Sequence, residues 1–275
     1  MYSGTIITHG SGRLMGTHQK IDRVARKKLH RYLGEGQWFP RTREILRFEG
    51  LNGPDGIKRK SPAHDEPRHF INPDDPNDRH LIELIRGNQN NLVAALMSGN
   101  RERASFEAAW LAHAIVDGLT PAHHYPYEER LAEIRGDTKQ LQDTIFRKVI
   151  MPGDTMRDKV ANNWKYWKPT GLMTAHGLYE VGVAFATAPL RFKRVALSKH
   201  DIELLRAADD FESFFMDAVQ RVHQHKIYDR FLQRGWTESL ARETKNFLLP
   251  EMIHAVLMAW YFCAYQAKVK RHGGS

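Results

Sequence analysis

The sequence predicts an all-α fold, on three observations. Apolar residues recur at helical intervals over most of the chain. Strand-like alternation is nearly absent. Half of the 12 prolines crowd into residues 34–78, leaving the rest free of helix breakers for long stretches. A chain of 275 residues can bury a large core, and we read residues 1–275 as a single globular multi-helix domain with a long Pro-rich loop layer.

Residues 20–32 have apolar positions at helical spacing. Residues 34–78 hold Pro40, Pro54, Pro62, Pro67, Pro73 and Pro76 and read as the loop layer. Loops of this length inside a compact domain usually carry function. Residues 79–97 and 103–118 form a helix pair joined by Ser98-Gly99-Asn100. Residues 127–149 and 154–167 are charged and belong at the periphery. Residues 173–188 are apolar and stop before Pro189. Residues 199–224 are amphipathic, with Leu204, Leu205, Phe211, Phe214, Phe215 and Val219 facing inward. Residues 237–247 and 251–268 close the chain. Its longest uncharged run, residues 252–267, is short for a membrane span and carries His254 and Gln266, so it reads as a buried helix and no transmembrane segment is expected.

Lys and Arg number 41 against 32 Asp and Glu, a formal charge of +9 that favours anionic partners such as nucleic acid or an anionic lipid surface. The basic runs are short and read as solvated faces. The single cysteine, Cys263, excludes an intrachain disulfide and sits in an apolar run as a core residue. The opening MYSGTIITHGSGRLMG has no charged segment followed by an apolar one, so no signal peptide is recognised and a cytoplasmic location is favoured.

The chemistry gathers on two apolar helices. Between Glu107 and Glu128 the one formally charged residue is Asp117, with Ala108, Ala109, Leu111, Ala112, Ala114, Ile115 and Val116 around it. A helix apolar on every side is buried, and a buried carboxylate needs a partner. His113 precedes Asp117 by four residues, on the same face. Two ligands at that spacing can grip one metal ion; a plain His–Asp hydrogen bond is the other reading. Pro121 ends the helix and His123 follows the turn. Between Lys168 and Arg191 the one charged residue is Glu180, and His176 again precedes it by four. Two such pairs favour a metal cluster over two buried hydrogen bonds. His69, Asp55 and His18 stand at loop and helix-start positions that draw notice only beside these pairs.

In order, His18, Asp55, His69-Phe70-Ile71-Asn72-Pro73-Asp74, His113-x3-Asp117-x5-His123 and His176-x3-Glu180 resemble the zinc-dependent phospholipase C / S1-P1 nuclease family, over about residues 16–182. The segment from His113 to His123, with Gly118 and Pro121 inside it, is its most specific piece. The resemblance implies that family's all-α fold and a cleft of zinc ions. One ion would take Asp55, His69, His113 and Asp117. A second would take His123, His176 and Glu180. A third would take His18 and share Asp117. In the family an N-terminal tryptophan completes this third ion through its amino group and carbonyl. Here the first tryptophan is Trp38, and His9 is the candidate substitute, so two or three zinc ions are expected. A further departure is the long gap of 53 residues between His123 and His176 (176 − 123). Asp65 and Asp74 are rivals to Asp55, and His64 and His124 compete for nearby roles. The family is mostly exported, against the reading of the N-terminus above.

The resemblance implies phosphoester hydrolysis, with Asp55 as the general base that orients or deprotonates the attacking water. The first expectation is a phospholipase C acting on phospholipid headgroup esters. The alternative substrate is single-stranded nucleic acid, for which Tyr125, Tyr127 or Phe70 would stack a base. A helical binding protein that holds zinc without catalysis is a third reading. A phosphohydrolase built on His64-Asp65 is a fourth, and leaves His176 and Glu180 unexplained.

Overall fold

The computed structural model describes residues 1–2, 16–58, 69–135 and 150–273, and every regular element among them is helical. Helix α1 (Thr17–Leu29) begins three residues before the expected start, because Gly16 is extended and the Thr17 amide is tied to the Tyr2 carbonyl at 2.8 Å. That start carries His18 onto the helix. The Pro-rich layer holds two short helices, α2 (Thr42–Ile45) and α3 (Pro54–Lys58), with single 3₁₀ turns between them.

Helix α4 (His80–Ser98) ends where Gly99 takes a left-handed conformation (φ 72°), a shape glycine adopts without steric cost. Asn100 then caps α5 (Arg101–Gly118) by accepting the Arg103 amide at 3.0 Å. The expected helix pair is therefore present and antiparallel. Helix α6 (Tyr127–Arg135) begins the expected 127–149 helix; residues 136–149 lie outside the described residues. Helices α7 (Met156–Trp167) and α8 (Leu172–Thr187) follow.

The helix expected over residues 199–224 is two helices, α9 (Lys199–Ala207) and α10 (Glu212–Gln224). The break falls at Ala208, which is extended, and Asp210 turns back to accept the Glu212 amide at 3.1 Å. Apolar spacing bridges this corner and hides it in the sequence. Helix α11 (Ile227–Arg234) was not expected either; it starts behind Lys226, whose backbone is left-handed (φ 47°).

Helix α12 (Glu238–Glu243) runs through a π-type turn at Thr244–Leu248 into α13 (Leu249–Gly273). The run from Glu238 to Arg271 is 34 residues and apolar enough to cross a membrane by length, yet its most apolar window is 78% buried within the protein. It is the core helix that the uncharged run predicted. It packs on α1, α4 and α5, and the Trp260 indole donates to the Ala108 carbonyl of α5 at 3.0 Å. Cys263 lies in this core, where burial pushes its thiol pKa up and leaves the sulfur unreactive. A smaller satellite core surrounds Met151 and Tyr166, with Phe70, Tyr125, Leu131, Ile134, Leu172 and Met173 packed on it.

Candidate metal centre

Helix α5 is the pedestal. Ala108, Ala109 and Ala112 are fully buried around it, so the carboxylate at Asp117 has no route to bulk water along its own helix. The helix ends at Gly118, a position with no room for a larger residue: a Cβ there would lie 2.4 Å from the Phe215 ring. Pro121 then opens a 3₁₀ turn, Pro121–His123, that swings His123 back over the helix end. His113, Asp117 and His123 are 2%, 1% and 4% exposed.

The two oxygens of Asp117 face different partners. Oδ2 meets His69 Nδ1 in a short hydrogen bond and lies 3.3 Å from His113 Nε2. Oδ1 lies 3.5 Å from His18 Nε2, 3.5 Å from His123 Nδ1 and 3.2 Å from the Met1 amino nitrogen. Asp55, at the start of α3, reaches His113 Nε2 from the other side at 3.6 Å. Gly56 permits this approach, since a Cβ there would sit 2.1 Å from the Leu51 carbonyl oxygen. Helix α8 brings the second pair: Glu180 Oε1 is 3.2 Å from His176 Nε2 and 3.4 Å from His123 Nε2. The His123 and His176 rings are parallel, with centroids 5.3 Å apart. All eight residues singled out in the sequence thus converge on one locus.

Three participants escaped the sequence reading. Glu49, buried between two 3₁₀ turns, has its oxygens 3.3 and 3.4 Å from His113 Nδ1. It is placed to accept the Nδ1 proton, as outer-sphere carboxylates do for metal-bound imidazoles; burial opposes a charge on His113, but Asp117, Glu49 and Asp55 outweigh it and raise the ring's pKa well above its ordinary value. Asp22 is buried on α1, one turn after His18. Burial, and then the charge of Glu49, push its pKa well above the usual carboxylate range. The Met1 amino group lies between Asp117 and Glu180, 3.0 Å from Glu180 Oε1. Burial opposes its charge, but Glu180, Asp117 and Asp55 outweigh that and raise it to about 10. No spacing rule reaches Met1 or Glu49, because each owes its place to a long-range fold-back.

The same field acts on the other groups. Burial works to raise Asp117, but the Met1 ammonium and then His113, His69 and His123 hold its carboxyl well below its ordinary range. Glu180 behaves alike, held down by the Met1 ammonium, His176 and His123. Burial and the same ammonium bring His123 down to about 3, so its ring is neutral with a lone pair to give. Burial likewise lowers His18.

The spacings suit a cation better than hydrogen bonds. Two ligand atoms each about 2.1 Å from a tetrahedral zinc lie about 3.4 Å apart. The His18–Asp117, His113–Asp117, His113–Asp55, His123–Glu180 and His176–Glu180 separations run from 3.2 to 3.6 Å. The buried His18 Nδ1 and Nε2, His69 Nε2 and His113 Nε2 find no hydrogen-bond partner in the protein. Among the described residues, three groups can each close on one ion: His18, His113 and Asp117; Asp55, His69 and His113; and His123, His176 and Glu180. The first two share His113, whose Nδ1 faces Glu49, so its one remaining nitrogen can serve only one of them. The locus opens at Asp55, Glu180 and His176, whose side chains are 28%, 16% and 13% exposed.

Several expected rivals fall elsewhere. Asp74 is 75% exposed and pairs with His223 at 3.2 Å. His124 turns away, its Nε2 2.7 Å from the Gly118 carbonyl oxygen, and lines a cavity of about 250 Å³ with His223, Lys226 and Tyr125. Tyr125 packs on Tyr228 there, whereas Phe70 stands against the cluster, 5.0 Å from the His123 ring. His9, His64, Asp65 and the Tyr127 side chain lie outside the described residues.

Among solved structures, the fold is similar to alpha-toxin of Clostridium perfringens, isolated from avian strain SWCP, with a TM-score of 0.60 at 14% sequence identity. The alignment covers 94% of this chain and 65% of the toxin chain. No family model matches the sequence, and no curated protein does.

Proposed function

We propose that the chain is a zinc-dependent phosphodiesterase of the phospholipase C type, cleaving headgroup esters of phospholipids. One observation carries the reading: Asp117 presents one oxygen to His69 and His113 and the other to His18 and Met1, while His123, His176 and Glu180 form a separate set beside it. A buried carboxylate with ligands on both oxygens is the bridge that closely spaced ions need. The toxin-like fold and the order of the eight residues point the same way.

Zinc ions held there would polarise phosphoryl oxygens and make a hydrolytic water acidic near neutral pH. The chain's own residues set the rest. Glu49 would orient His113 through Nδ1 and leave Nε2 to an ion, and His123 Nδ1 lies 3.1 Å from the Asp117 carbonyl oxygen that would accept its proton. Asp55, the most exposed of the set, faces incoming water and orients it. Phe70 walls the opening beside His123 and His176 with an apolar face, which suits a lipid headgroup entering from a bilayer.

The test is one zinc-loaded preparation assayed on phosphatidylcholine and on single-stranded DNA. Release of diacylglycerol with no nucleotides is the expected outcome. Nucleotide release alone would replace the reading by the single-strand nuclease. Neither product from a zinc-replete chain would leave a zinc-holding binding protein.

A further inference from the structure

Helix α7 lies between His123 and His176, which are 53 positions apart (176 − 123), in the segment by which the chain departs from the resembled pattern. Its anchoring contacts among the described residues come from Tyr166, Asn162 and Asn163. Tyr166 is 4% exposed in the satellite core. Asn163 exchanges two hydrogen bonds with the Met151 backbone at 3.0 and 2.9 Å, and Asn162 donates to the Pro152 carbonyl at 2.8 Å. These contacts fix the rotation of the helix about its axis.

The face next to these contacts is apolar and exposed. Met156 is 75% exposed, Val160 66%, Trp164 66% and Trp167 42%. Their spacings of four, four and three residues place them within an arc of about 80°. Four large apolar side chains in one stripe are more than scattered surface residues. Arg157 and Lys159 flank the stripe on its two sides, and both are exposed. The one acid of the helix, Asp158, points away and is tied to Thr155 in a capping box. Tryptophan amid aliphatic residues, edged by cations on long stems, matches the chemistry of an anionic lipid interface.

We infer that this face of α7 docks the protein on an anionic phospholipid bilayer. A second copy of the chain fits less well, because a two-fold contact through the stripe would bring the Arg157 and Lys159 flanks of each copy together. The satellite core also links the docking helix to the metal centre. Tyr166 packs in it with Phe70, whose ring is 5.0 Å from that of His123. The inference deepens the phospholipase reading and rests on it for what is cleaved, but not for the docking itself.

The experiment is sedimentation of the full zinc-loaded chain with vesicles of phosphatidylglycerol and phosphatidylcholine. We expect binding that the V160D/W164D double variant weakens about tenfold or more, with its helical signal and zinc content retained. A second double variant, R157E/K159E, leaves the stripe intact and should abolish the preference for phosphatidylglycerol over pure phosphatidylcholine. Unchanged binding by V160D/W164D overturns the inference, as does a wild-type chain that binds no vesicles or one whose dimer dissociates on W164D. Hydrolysis of a short-chain monomeric lecithin separates the two ideas. Cleavage of the monomer with docking unaffected by the variants sinks the docking face alone. Docking through α7 without cleavage of any lipid sinks the phospholipase reading alone.

Discussion

At the scale of the residue, the centre is organised by Asp117, and its surroundings explain why one carboxylate can sit in an alanine-lined helix. Isolated burial of such a charge costs several kcal/mol or more. Here His18, His69, His113, His123 and the Met1 amine lie around its two oxygens. The pair His113 and Asp117 was legible because a lone acid on an apolar helix draws attention, and the repeat at His176 and Glu180 made metal the better account. Glu49 was not legible: it sits among Pro and Gly turns where no periodicity assigns a facing direction. It still governs His113, so we predict that Glu49→Ala lowers zinc affinity by about 10- to 100-fold, with Glu49→Gln between it and wild type. Competition with a coloured zinc chelator measures this. Equal affinity in all three proteins would remove Glu49 from the centre.

At the scale of the element, helix ends do the positioning. The His113–Asp117 pair lies in the last turns of α5, and the Pro121–His123 turn returns His123 over that end. The closeness of α10 makes this geometry sensitive at one position. A Cβ on Gly118 would meet Phe215 Cζ at 2.4 Å and Leu81 Cδ2 at 3.0 Å. We predict that Gly118→Ala destabilises the protein by about 1–3 kcal/mol through overpacking, seen as a lower thermal midpoint. A midpoint equal to the wild type would mean that α5 and α10 pack less tightly than described. Helix existence was largely legible from apolar spacing. The corner at Ala208 was not, because Leu204, Phe211 and Phe215 keep helical phase across it while the backbone turns. The exposed stripe of α7 was also missed: the charges of residues 154–167 mark the helix as peripheral but do not show which face the satellite core leaves open.

At the scale of the whole molecule, the fold sets one long buried helix, α13, against α1, α4 and α5, and brings candidate ligands from the start of α1, the end of α5 and the middle of α8 to one opening. The all-α class followed from the absence of strand pattern. The convergence of His18, Asp55 and His69 on α5 followed only from the ordered set, since each alone is an ordinary loop or cap residue. The +9 charge is spread over the chain, but α7 gives part of it a direction by placing Arg157 and Lys159 beside an apolar face.

The claim on which the rest depends is that Asp117 bridges metal ions. Elemental analysis of the full chain, reconstituted with zinc and freed of unbound metal, tests it most directly. The account predicts about two to three zinc ions per chain. It predicts a fall to about one in Asp117→Asn, held by His123, His176 and Glu180. A wild-type chain that retains no zinc, or an Asp117→Asn variant that retains the full complement, would contradict it.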